Sequence, residues 1–105
     1  MNCTRIALYD ITSGSFGEVV EKAKAGMVPL FENSPGFLSY GIAEIGKNAF
    51  ASVSTWKTRQ QADDATGKAA AWVKTNMPDR FVLRENYIGD LAVDTAATKA
   101  PELAR

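Results

Sequence analysis

The sequence predicts an α+β fold of the ferredoxin-like kind, βαββαβ, in which a four-stranded antiparallel sheet carries two helices on one face. Three observations predict it. Two capping boxes, Ser15-Phe16-Gly17-Glu18 and Thr58-Arg59-Gln60-Gln61, each open a run of apolar residues at helical spacing. Two alternating segments are joined only by Gly46-Lys47-Asn48, a connection so short that the strands must be antiparallel. A further alternating segment precedes the first helix and another follows the second.

The first strand is Thr4 to Ile11, "TRIALYDI", rich in strand formers and closed by the breaker "TSGS". After the Ser15 cap, Phe16, Val19, Val20, Ala23, Met27, Leu30 and Phe31 make one apolar stripe opposite Glu18, Glu21, Lys22 and Lys24. Gly26 and Pro29 weaken the last turns of this helix and predict a kink or break near Met27. "NSPG" then turns the chain into the second strand, "FLSYGIAEI". Strict alternation puts Phe37, Ser39, Gly41, Ala43 and Ile45 on one face and Leu38, Tyr40, Ile42 and Glu44 on the other. Ala49 to Trp56, "AFASVSTW", is the third strand. The second helix buries Ala62, Ala65, Ala69, Trp72 and Val73, carries Asp63 and Asp64 where the helix dipole favours them, and stops at Asn76 and Pro78. Phe81 to Val93 forms the fourth strand. The domain spans 1–93, and 94–105 reads as a C-terminal tail or arm.

Composition narrows the function. A chain of 105 residues can bury a core unaided, removing roughly 65% of its unfolded surface from water. Twelve basic and twelve acidic residues cancel without any basic cluster, so no nucleic-acid partner is expected. One cysteine and no histidine exclude an internal disulfide, the usual zinc ligand sets, Ser-His-Asp and Cys-His nucleophiles, and the commonest proximal haem ligand. No metal or cofactor is therefore expected. Cys3 reads as a small hydrophobe rather than a nucleophile. No apolar run reaches about 18 residues, and "MNCTRIALYDI" lacks a signal-peptide pattern. The expectation is a soluble, cytoplasmic protein with no membrane partner.

With both helices on one face, the sheet's other face needs cover. On the third strand it carries Ala49, Ala51, Val53 and Thr55, residues suited to close packing against a second sheet, which predicts a homodimer through the open face. The helix-side face of that strand carries Phe50, Ser52, Ser54 and Trp56, large at the ends and small in the middle. Two readings stay open: Trp56 fills the core beneath the second helix, or it forms one wall of a hollow. Trp72 among Ala62, Ala65 and Ala69 is open in the same way, and Gly67 points toward a close approach or a gap. Arg84, Glu85, Asn86 and Tyr87 form either a solvated edge or the polar lining of a site.

With this topology, the "SPGFLSY" turn and the "TWKTRQQA" strand-to-helix junction, the chain resembles the dimeric α+β barrel superfamily and, within it, the antibiotic-biosynthesis-monooxygenase type of domain over residues 4–92. The resemblance implies that Trp56 lines a substrate pocket. It places Ser52 where quinone-forming members hold an asparagine, Ala62 where they hold a tyrosine, and a position near Asn76 where they hold an arginine. The helix histidine and first-strand asparagine of the haem-degrading branch are missing. The implied activity is cofactor-independent oxygenation of a small aromatic or polyketide-like molecule, bound by Trp56, Ser52, Trp72, Asn76, Tyr40 and Arg84, with Tyr9 and Tyr87 as further polar candidates. No residue is singled out as catalytic. The alternatives are a non-catalytic module that binds a small apolar ligand or merely dimerises, and an isomerase or cyclase using Asp10 or Glu44.

Overall fold

The computed structural model describes residues 1–96. Its elements run β1 (Cys3–Ile11), α1 (Phe16–Lys22), a π-helical segment (Ala23–Met27), α2 (Val28–Glu32), β2 (Phe37–Glu44), β3 (Ala49–Trp56), α3 (Arg59–Asn76) and β4 (Phe81–Asp90). All four strands join one antiparallel sheet in the order β2-β3-β1-β4, and the helices cover a single face. This is the ferredoxin-like architecture. No helix among the described residues is long and apolar enough to cross a membrane.

Both capping boxes form. The Ser15 Oγ accepts from the Glu18 amide at 3.3 Å while Glu18 Oε1 accepts from the Ser15 amide at 2.9 Å. Thr58 and Gln61 repeat the exchange at 3.1 and 3.2 Å. Each exchange satisfies amides that the first helical turn otherwise leaves bare. The break expected near Met27 is a π-helical turn, in which the Val28 amide reaches back to the Ala23 carbonyl and Pro29, lacking an amide, falls in the first turn of α2.

Two bulges change the faces that strict alternation assigns. Phe37 pairs with Trp56 and Ser39 with Thr55, so Leu38 is an extra residue on β2. Phe37 consequently shares the helix-side face with Tyr40 and Ile42, and Leu38 is exposed, which corrects the alternating assignment for this strand. On β4 the extra residue is Arg84, between Leu83 opposite Tyr9 and Glu85 opposite Leu8. That strand ends at Asp90, not Val93, because its partner β1 begins at Cys3, directly opposite Asp90. Of the predicted arm at 94–105, residues 97–105 lie outside the described residues; at its start Asp94 accepts a hydrogen bond from Asn2 at 3.0 Å.

The core between sheet and helices forms two groups. One holds Cys3, Ala23, Met27, Phe31, Trp56, Ala62, Ala65 and Ala69; the other holds Ala7, Tyr9, Val19, Phe50 and Met77. Gly67 belongs to neither. It is exposed, and a Cβ placed on it meets nothing within 4 Å, so it does not report on the approach of α3 to the sheet. Gly67→Ala is expected to raise stability by about 1 kcal/mol through helix propensity, read as a higher denaturant midpoint at unchanged slope.

Candidate functional site

A cavity lies where the two core groups meet. Tyr9, Val19, Phe50 and Met77 line it from one group and Ala23, Met27, Phe31 and Ala69 from the other, with Arg5, Tyr40, Ile42, Ser52, Trp72, Val73 and Phe81 completing the wall. Its unfilled space is about 370 Å³ including the open mouth, and the enclosed part of it is narrow. As it stands it has room for one or two waters. A ring-sized guest requires the wall to give, and the flexible thioethers of Met27 and Met77 in it make the wall adaptable.

Sheet register explains the polar groups. Tyr40, Ser54 and Arg5 lie in one cross-strand row, Ile42, Ser52 and Ala7 in the next, and Phe50 opposite Tyr9 in the one after. The small side chains of Ala7 and Ser52 leave a depression that the larger residues of the flanking rows surround. Above it, α3 contributes Ala69, Trp72 and Val73. The Trp72 ring lies against the π-helical segment at Gly26, where a Cβ would fall 2.6 Å from Cζ2 and 2.7 Å from Cε2, so only glycine leaves room for it.

Arg5 is the unexpected member. It is only 2% exposed, its Nε has no hydrogen-bond partner, and among the described residues no carboxylate pairs with it. A guanidinium so placed is costly unless something negative meets it. The sequence carries a signal for it. Cys3, Arg5, Ala7, Tyr9 and Ile11 occupy one parity of β1, so Arg5 is a charge at an inward-facing position of an otherwise apolar row.

The residues singled out from the sequence divide evenly. Ser52, Tyr40 and Trp72 line the cavity, as does Tyr9. Trp56, Asn76 and Arg84 stand elsewhere. Trp56 is fully buried with its ring edge-on to Phe31 at 5.3 Å and Phe37 at 5.5 Å, and its Nε1 donates to Ser54 Oγ at 2.9 Å. The small Ala62 and Ala65 of α3 belong to the same group, so the indole and the Ser54 hydroxyl close that half of the hollow. Asn76 is exposed at the end of α3 and donates to the Trp72 carbonyl at 2.9 Å. Arg84 is the bulge residue on β4, paired at 3.6 Å with Asp10 at the solvent, so the polar run there is a solvated edge. Tyr87 likewise stands outside, donating to Glu85 at 2.8 Å.

Burial pushes the Tyr40 phenol above its ordinary value, while the Ser52 hydroxyl and the Arg5 charge pull partly back. At neutral pH Tyr40 therefore remains a donor. A raised folded-state value stabilises the fold below the unfolded phenol's value of 10.0, and that contribution is lost as pH climbs past it toward the folded value. Chemical denaturation from about pH 9 to about pH 11.5 is expected to show a steeper loss of stability for the wild type than for Tyr40→Phe. Burial also raises the Cys3 thiol, with the Asp90 charge adding to the effect, so the thiolate is disfavoured. No aspartate, glutamate or histidine lines the cavity. Its polar groups, Arg5, Tyr9, Tyr40 and Ser52, are donors that suit negative charge on a guest. Among the described residues no group of three or more histidine, cysteine, aspartate or glutamate side chains could hold a metal ion.

The sequence matches no protein-family model, and no curated protein is significantly similar to it. Solved structures are similar in fold. SnoaB from Streptomyces nogalater, described as a cofactor-independent oxygenase, superposes with a TM-score of 0.70 at 13% identity over 96% of this chain and 98% of that one. A putative antibiotic biosynthesis monooxygenase from Chloroflexus aurantiacus gives 0.63 at 17% identity, covering 90% and 97%. MhuD, as a point mutant with two manganese protoporphyrin IX bound per active site, gives 0.62 at 20% identity, covering 88% and 96%. Sheet order, helix placement and these superpositions together show that the chain shares the ferredoxin-like α+β fold of these solved structures.

Proposed function

We propose that the chain is a cofactor-independent, monooxygenase-like protein acting on a small aromatic or polyketide-like molecule held between sheet and helices. The observation that carries the proposal is the lining itself: the donors Arg5, Tyr9, Tyr40 and Ser52, with no carboxylate and no imidazole, in a largely apolar enclosure. A phenol or hydroquinone reduces oxygen by itself once ionised. The protein then has only to exclude water, orient the ring and stabilise the developing oxyanion, here through Tyr40, Ser52 and Tyr9. With no base on the wall, the substrate proton leaves to water, so turnover should rise with pH through the substrate's own titration. The fold shared with an enzyme described as a cofactor-independent oxygenase supports this reading. A porphyrin-binding reading has less behind it, since the chain contains no histidine.

The test is oxygen consumption with a dihydroxyanthracene substrate. Uptake above the buffer blank, slowed about tenfold or more in Ser52→Ala combined with Tyr40→Phe, supports the proposal. Ligand-induced thermal stabilisation without uptake favours a non-catalytic binding module instead, a reading supported by the narrow void and by Ala62 standing where the resemblance calls for a tyrosine. An isomerase or cyclase has less support, because neither Asp10 nor Glu44 lines the cavity.

The proposed assembly is a homodimer through the open sheet face, where Ile6, Val53, Val82 and Tyr87 remain exposed although they lie on strands. Sedimentation at micromolar concentration should give twice the chain mass, and Val53→Asp the single-chain mass. A cytoplasmic location belongs to the same proposal, on the ground that the one cysteine serves no disulfide.

A further inference from the structure

Resting on the reading that the cavity holds an aromatic guest, we infer that the guest is an anion in its ground state, an aromatic or polyketide-derived carboxylate whose carboxyl group seats on Arg5. A neutral phenol that ionises only during reaction would leave the buried guanidinium without a counter-charge in every complex before that moment. A carboxylate matches the fork of guanidinium donors and answers the unpartnered Nε from the outset.

The route to Arg5 supports this class. A groove of about 530 Å³ runs between α3 and β4, with Arg5, Tyr9, Val73, Lys74 and Phe81 on its walls. It shares Arg5, Tyr9, Val73 and Phe81 with the cavity, so Arg5 borders both. Lys74, exposed on α3, is the second charged side chain on that groove, and it is also positive. No acidic side chain lines either space. An incoming anion therefore meets one cation at the mouth and a second, desolvated one inside.

The experiment compares 1-naphthoate with 1-naphthamide, which are nearly identical in shape and differ in charge. Titration calorimetry on the full chain at neutral pH is expected to show naphthoate binding about tenfold or more tightly than the amide. In Arg5→Met that preference should fall to within about twofold, and in Arg5→Lys it should be intermediate, since charge is kept but the fork is lost. Because an apolar side chain relieves an unpaired buried charge, Arg5→Met should also melt several degrees higher than wild type. Equal affinity for the two probes, absence of naphthoate binding, a preference that survives in Arg5→Met, or an Arg5→Met chain that melts lower than wild type would each overturn the inference, the last by making Arg5 a structural group. Naphthoate selectivity without oxygen uptake from any phenol leaves this inference standing and removes the oxygenase reading. Uptake with a neutral phenol, undiminished in Arg5→Met, does the opposite.

Discussion

Trp56→Ala is expected to destabilise the fold by about 3–5 kcal/mol, the range for truncating a large buried aromatic. The indole is fully buried, touches Phe31 and Phe37 edge-on, and satisfies the buried Ser54 hydroxyl. Its removal leaves a cavity under α3 and an unpaired hydroxyl at once. Equilibrium urea unfolding measures the loss. Because the ring does not border the cavity proposed to bind an aromatic guest, folded Trp56→Phe should keep the wild-type affinity for such a guest within about threefold while losing part of the stability. A hundredfold loss of affinity in a well-folded Trp56→Phe would show that this tryptophan meets the guest after all.

Gly36→Ala is expected to cost about 2–3 kcal/mol, from two separate sources. Gly36 has φ of +78°, a left-handed conformation that penalises any Cβ. Its carbonyl also accepts the Lys57 amide at 2.9 Å, so the turn cannot relax without losing that bond. In addition, a Cβ there would run into the Gln61 side chain, whose Oε1 caps the Thr58 amide at the start of α3. Gln61→Ala alone should lose the second source only, about 1 kcal/mol. Combining it with Gly36→Ala should therefore give less than the sum of the two, since both act on one cap. Strict additivity in that cycle would show that strain at Gly36 and the cap are independent.

The candidate site is partly legible in the sequence. Ser52 is the low point of a large-small-small-large row on β3, and it lines the cavity. Tyr40 is on the same face for the reason given by alternation, since the bulge at Leu38 precedes it and leaves its parity opposite Ser54 intact. Trp56 and Trp72 cannot be told apart in this way. Both are tryptophans beside small residues, and which one fills the room left by the alanines depends on how α3 descends onto the sheet. Its first turns, at Ala62 and Ala65, come down onto Trp56, whereas Trp72 further along borders the cavity and tucks its ring against Gly26. In the sequence Gly26 is legible only as a helix weakener, because its service to a ring on another helix is a non-local fact.

Capping boxes, periodicity and a three-residue hairpin are local, and each acts through the chain's immediate neighbours, so the order of elements, their approximate bounds and the face that each helix buries can be read from the residues alone. Composition set expectations in the same way, since a chain without histidine is not expected to use imidazole chemistry. Where space remained, and which charge was left facing it, followed from packing between segments far apart in the chain. Arg5 sits at an inward position that the sequence displays, but whether an inward arginine finds a carboxylate depends on residues far away in the chain. Its row on the sheet places Ser54 on one side and Ile88 on the other, neither of them acidic, so among the described residues its Nε finds no partner.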